Sequence, residues 1–160
     1  MRCCVLWVSI VVFSWLSHLN CLSQVQRIWL NPGVKVAYTF GEDGGFTVGP
    51  EVSVVWETEK NLIGVLVDVD HCQRARRMKL HVGIEAMGFP FPKAPVGLSA
   101  GPTIIWQDSK TAYGVTVTGY TGLGLIPFVG STIRTDGPVL VELGSYLKIP
   151  IIAHGPRFKM

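Results

Sequence analysis

The sequence predicts an all-β fold: an eight-stranded antiparallel up-and-down barrel, of the kind that crosses a membrane. Three observations predict it. Eight successive runs between residues 33 and 151 alternate apolar with small or polar residues at a period of two, the spacing that sends neighbouring side chains to opposite faces of a strand. The runs are each near the ~9 to 11 residues that cross a bilayer at a tilt, and only short turns join them. One face is apolar or aromatic at nearly every position, and the other is rich in Gly, Ser, Thr and Ala with a few charges.

The hairpin over 33–56 is the clearest pair. Val34, Val36, Tyr38 and Phe40 alternate with Lys35, Ala37 and Thr39, and after 42–45 Phe46, Val48, Pro50, Val52, Val54 and Trp56 alternate with Thr47, Gly49, Glu51 and Ser53. Setting Phe40 across from Phe46 brings Lys35 beside Glu51, opposite charges on the polar face. The third strand, 62–71, sets Ile63, Val65, Val67 and Val69 against Gly64, Leu66, Asp68 and Asp70. A loop over 72–76 follows. The fourth, 77–87, sets Met78, Leu80, Val82, Ile84 and Ala86 against Lys79, His81, Gly83 and Glu85, which pairs Asp70 with Lys79 and Asp68 with His81.

Pro90 and Pro92 mark the next turn. The fifth strand, 96–106, sets Val96, Leu98, Ala100, Pro102, Ile104 and Trp106 against Gly97, Ser99, Gly101 and Thr103; the sixth, 111–121, sets Tyr113, Val115 and Val117 against Ala112, Gly114, Thr116, Thr118 and Tyr120. The seventh, 125–134, is the least legible, since Ile126, Pro127, Phe128 and Val129 are apolar on both faces. The eighth, 139–151, sets Val139, Val141, Leu143, Ser145, Leu147 and Ile149 against Leu140, Glu142, Gly144, Tyr146 and Lys148. Pro50, Pro102 and Pro127 fall inside strands, where each removes a ladder donor and predicts a local irregularity.

Length and composition agree. The 160 residues suffice for one domain. A charged fraction of 16% is well under the ~25% of soluble domains. The net charge of +3 is small and scattered, which argues against nucleic acid as a partner. Arg2 ahead of the apolar run 5–16 has the form of a secretory signal, with cleavage after Ser23 placing the small Cys21 and Ser23 at the favoured positions. That run is shorter than the ~20 residues of a spanning helix. The expected organisation is a signal peptide over 1–23, a lead-in over 24–32, the barrel over 33–151 and a tail over 152–160. Removal of the leader leaves Cys72 as a lone thiol, expected in a surface loop, so neither a disulfide framework nor a cysteine metal site can form.

A soluble barrel would bury the apolar face and a membrane barrel reverses this. The interior of eight strands holds side chains only, and the bulky Tyr38, Phe40, Phe46, Trp56, Trp106 and Tyr113 cannot all fit there. They are expected outside, near strand ends, as an aromatic girdle. The other face then forms an interior ion-pair network of Lys35, Glu51, Asp68, Asp70, Lys79, His81, Glu85, Glu142 and Lys148, since buried charges must be paired. An esterase-like site using His71 or His81 with Ser53 or Ser99 lacks an adjacent nucleophile. A metal on Asp68, Asp70 and His81 would strain one coordination sphere. No cofactor motif is present. Arg74, Arg76 and Arg77 form the one dense basic cluster, read first as a solvated surface loop that keeps the turn out of the membrane and second as a surface for anionic lipid head groups.

The stretch Glu142, Leu143, Gly144, Ser145, Tyr146, Leu147, Lys148, Ile149 resembles the terminal signal of bacterial outer-membrane barrels, which runs polar, any, Gly, any, any, apolar, any, apolar. The whole pattern is similar to the small eight-stranded members of that group, which usually end on an aromatic where this chain continues to Met160. The resemblance implies residence in the bacterial outer membrane, the lipid bilayer as environment, and reading of Glu142, Gly144, Leu147 and Ile149 by the barrel-insertion machinery. The expected function is a non-enzymatic integral outer-membrane protein with a side-chain-filled interior and a structural or small surface-binding role. The rival readings are a soluble exported barrel that binds a small apolar ligand and, third, a lipid-modifying hydrolase or transferase.

Overall fold

A computed structural model describes residues 27–41, 44–58, 61–91, 94–122 and 124–153. The predicted leader, the turn residues Glu42 and Asp43, and residues 154–160 lie outside them. The strands are β1 (Arg27–Phe40), β2 (Gly45–Glu57), β3 (Asn61–Cys72), β4 (Arg77–Phe91), β5 (Ala94–Gln107), β6 (Lys110–Thr121), β7 (Leu125–Arg134), β8 (Leu140–Lys148) and the short β9 (Ile151–Ala153). β1 starts inside the segment read as a lead-in, because Trp29 and Asn31 continue the inward side of its alternation. β9 pairs with β1 in the register of β8. Only Ile149 and Pro150 interrupt, opposite Pro32 and Asn31 respectively, so β8 and β9 are one stave and the barrel has eight.

Each strand pairs antiparallel with its neighbour in sequence, and β1 closes the sheet by pairing with both β2 and β8. Going once around through inward-facing residues gives Trp29, Val55, Gly64, Glu85, Ser99, Thr118, Gly130, Glu142 and then Thr39 on β1 again. The circuit returns ten residues from its start, from 29 to 39. A shear of ten on eight strands corresponds to a tilt of about 40°. Ten residues at that tilt rise about 25 Å, the height of the apolar band of a membrane barrel.

The predicted register of the first hairpin is two residues off. Phe46 faces Tyr38, and Lys35 faces Gly49 rather than Glu51. The turn is longer than alternation alone suggests, since Phe40 pairs with Val141 of β8 and has no β2 partner. The second hairpin has the expected register, Asp70 opposite Lys79 and Asp68 opposite His81. The ladders also break near the internal prolines. Pairing of β2 with β3 skips Gly49 and Pro50, pairing of β4 with β5 skips Gly101 and Pro102, and pairing of β6 with β7 stops at Phe128, next to Pro127. At Gly49 and Gly101 the neighbouring backbone comes so close that a Cβ would overlap the carbonyls of Val69 and Val82. β5 and β6 join through Asp108 and Ser109, both at positive φ (47° and 66°), the conformation of a two-residue type I′ hairpin.

Polarity is inverted relative to a soluble barrel. Phe46 is 75% exposed, Ile84 63%, Leu125 62% and Ile149 67%, while Lys35, Lys79, Arg77 and Glu142 are each at most 2% exposed. Such a contiguous apolar belt needs an apolar surrounding, and burial of that many charges needs partners inside.

Candidate functional site

The interior is built from the odd residues of β1, β2, β4 and β5 and the even residues of β3, β6, β7 and β8, and its centre is electrostatic. Lys35 Nζ lies 2.6 Å from Asp70 Oδ2 and 3.0 Å from Glu142 Oε2, and Lys79 Nζ lies 2.6 Å from Glu142 Oε2 and 3.3 Å from Asp70 Oδ2. Each ammonium touches both carboxylates, a closed square with no net charge. Asp68 stands at its edge, 3.9 Å from Lys35. Thr39 donates to Glu142 Oε1 at 3.4 Å and accepts from Arg77 Nη2 at 3.0 Å.

Arg77 is therefore an interior residue. It is the first residue of β4 and points inward, whereas Arg74 and Arg76 are exposed on the turn. Cys72, expected in the same loop, is the inward end of β3 and fully buried. Arg74 shares a shallow groove at the turn end with Tyr38 and Phe46.

A second charged group lies nearer the other end. Lys148 Nζ is 2.9 Å from Glu51 Oε1 and 4.0 Å from Glu85 Oε2. Glu51 thus meets Lys148, not Lys35, as the shifted hairpin register requires. A stacked pair, Phe128 and Tyr146 with centroids 4.5 Å apart, carries Lys35 against the first ring and Lys148 against the second. With Ala37, Tyr120 and Ile126 these rings form the apolar fill between the two charged groups. The alternation had marked Phe128 only as ambiguous; β7 turns Ile126 and Phe128 inward and Pro127 and Val129 outward.

His81 stands apart from the square. Its Nδ1 is 3.1 Å from Thr103 Oγ1, which begins a chain of hydroxyls to Thr116 and Thr132 with links of 2.7 Å each. No role for these threonines is legible from alternation; their inward positions on β5, β6 and β7 meet only once registers are known. His71 faces outward. Ser53 is engaged by Lys148 and Asn31, and Ser99 Oγ has no hydrogen-bond partner, so neither forms a pair with a histidine. Among the described residues no group of three or more His, Cys, Asp and Glu is arranged to hold a metal.

The aromatic set divides unequally. Tyr38, Phe40, Phe46, Trp106 and Tyr113 lie on the outward side near the turns that follow β1 and β5, with Tyr38 edge-on to both phenylalanines, and Trp56 lies near the end that carries the termini. Of the signal-like residues, Glu142 sits in the central square and Leu147 and Ile149 face outward. A Cβ on Gly144 would overlap the Val36 carbonyl of β1.

The interior is filled at the centre but not throughout. At the end carrying the termini it opens as a cavity of about 320 Å³, walled by Trp29, Val55, Leu62, Met87 and Ile126 above Glu85 and Lys148.

No protein-family model matches the chain, and no curated protein matches it. Solved structures do. The crystal structure of Neisserial surface protein A (NspA) aligns over 78% of this chain and 96% of its own, with a TM-score of 0.51 and 11% identity. The fold shared with it is that of a closed eight-stranded antiparallel barrel. A de novo designed transmembrane β-barrel aligns over 76% of this chain and 95% of its own at 15% identity, with a TM-score of 0.43.

Proposed function

We propose that the protein is a non-enzymatic integral protein of the bacterial outer membrane, exported by a cleaved leader and inserted with both termini on the periplasmic side. The observation that carries this reading is the inverted polarity: an outward belt that includes Phe46, Ile84 and Ile149 around a centre of buried Lys35, Asp70, Lys79 and Glu142. In water such a belt drives aggregation, and in a bilayer it is the favourable surface.

The central square favours a structural role over transport, since each of its ammonium groups is held by two carboxylates. The turn end is the candidate contact surface. Arg74 projects there beside Tyr38 and Phe46, with Arg76 exposed on the same turn, a combination suited to anionic lipid head groups at a membrane interface. Glu142, Gly144, Leu147 and Ile149 serve in this proposal as the residues read by the insertion machinery, beside the closure tasks they perform in the barrel.

Fractionation tests the proposal. The folded protein should sediment with outer membranes, resist carbonate extraction and require detergent for release. Recovery in a detergent-free periplasmic or medium fraction would instead establish the soluble-barrel alternative.

A further inference from the structure

The cavity at the terminus end has apolar walls and an unbalanced floor. Trp29, Val55, Met87 and Ile126 form the walls, and the Trp29 indole donates 2.7 Å to Glu57 Oε2. Glu85 and Lys148 line the floor, and Lys148 is shared with a second carboxylate behind it: it lies 2.9 Å from Glu51 and only 4.0 Å from Glu85. Glu85 Oε2 accepts from the Tyr120 hydroxyl at 3.0 Å, but Glu85 Oε1 has no hydrogen-bond partner, although the residue is 2% exposed. Glycine at 64 makes room for that oxygen; a Cβ there would lie 3.0 Å from it. An orphaned buried carboxylate oxygen costs free energy that a donor would recover.

We infer that this cavity is a binding site for a small monocationic amphiphile, a primary ammonium on a compact apolar body, with the ammonium on Glu85 and the body against Trp29, Val55, Met87 and Ile126. A neutral apolar ligand would fill the walls and leave Glu85 Oε1 unpaired. An anion would meet Glu57 and Glu85, the carboxylates that line the cavity. A hard divalent cation requires six or more oxygens, and among the described residues no group of three or more His, Cys, Asp and Glu is arranged to hold a metal. The site depends on the closed barrel and not on which membrane surrounds it, so it stands or falls separately from the proposed location.

The test uses the full barrel in lipid nanodiscs and isothermal titration against three probes of matched shape: 2-phenylethylammonium, 2-phenylethanol and 3-phenylpropanoate. Empty nanodiscs supply the partitioning background. Saturable one-to-one binding of the ammonium is expected, at least about tenfold tighter than the alcohol, the scale of one charge-assisted hydrogen bond, with the carboxylate weakest. Glu85→Gln should bring the ammonium down to the affinity of the alcohol. Equal affinity for ammonium and alcohol, an unchanged ammonium affinity in Glu85→Gln, or no saturable binding above empty discs would each overturn the inference. Should Glu85→Gln fail to fold, Met87→Trp decides: its indole fills the cavity and should abolish binding of the ammonium, and retained binding refutes the site.

Discussion

Glu142→Gln is the perturbation that interrogates the barrel centre most sharply. The substitution keeps shape and removes one charge from a square in which Glu142 Oε2 contacts Lys79 at 2.6 Å and Lys35 at 3.0 Å. Both ammonium groups then depend on Asp70, with Asp68 3.9 Å from Lys35 as further help. Breaking a buried pair from one side costs about 3 to 5 kcal/mol. Lys79→Met leaves the opposite imbalance and should cost a similar amount. The double variant restores neutrality among the groups in contact, because Lys35 and Asp70 still form their 2.6 Å pair. Its loss should fall short of the summed single losses by about 2 to 3 kcal/mol. Reversible urea unfolding in lipid vesicles, followed by tryptophan fluorescence, measures all three. Strictly additive losses, or a Glu142→Gln cost below about 1 kcal/mol, would refute a coupled square.

The remaining predictions address the outer face, the turns and the inner clearances. Ile84→Arg, midway along β4 on the exposed side, should destabilise the barrel in a bilayer by about 2 to 4 kcal/mol; a cost near zero in vesicle unfolding would mean that the position does not face lipid. Ser109→Gly should stabilise by up to about 1 kcal/mol, since Ser109 holds φ at 66° where glycine has no Cβ penalty; a loss in the same unfolding assay would contradict this. Gly101→Ala should cost about 1 to 3 kcal/mol by overpacking against the Val82 carbonyl, read out as a lower folded fraction on a cold electrophoresis gel. Cys72, being fully buried, should resist maleimide in the folded barrel from either side of the membrane and react after denaturation. Prompt labelling of the folded protein would show that the end of β3 is open.

Much of this architecture could be read from alternation, and its failures share one cause. Period two assigns each side chain to a face but leaves the offset between strands undetermined. The second hairpin was legible because Asp68 and Asp70 on one strand match His81 and Lys79 on the next, fixing the offset by charge. The first was not: Lys35 and Glu51 are complementary in sign, yet Lys35 finds Asp70 on β3, beyond β2, and Glu142 on β8, its neighbour only through closure of the sheet. Only a closed barrel, whose interior side chains meet across the lumen, makes those contacts possible. For the same reason Glu142 read as part of a terminal-strand pattern before it could be seen as the acceptor for two lysines. Residues 72–76 lack alternation, so Cys72 reads as loop, and Arg77, though first in its strand, reads with Arg74 and Arg76 as a surface cluster; in the structure the strands run to the loop edges and bury both. The cavity was invisible in the sequence because it depends on eight strand ends rather than on any one.

Whether the apolar face contacts lipid can be read from depth-dependent quenching of tryptophan by brominated phospholipids. Residues 24–160 contain Trp29, Trp56 and Trp106, so three single-tryptophan variants of that span reconstituted in vesicles suffice. Trp106, outward and 39% exposed, and Trp56 should be strongly quenched by bromines on the acyl chains, while Trp29, held inside by Glu57, should be spared. Trp106 immune to brominated lipid but quenched by aqueous acrylamide would contradict the account.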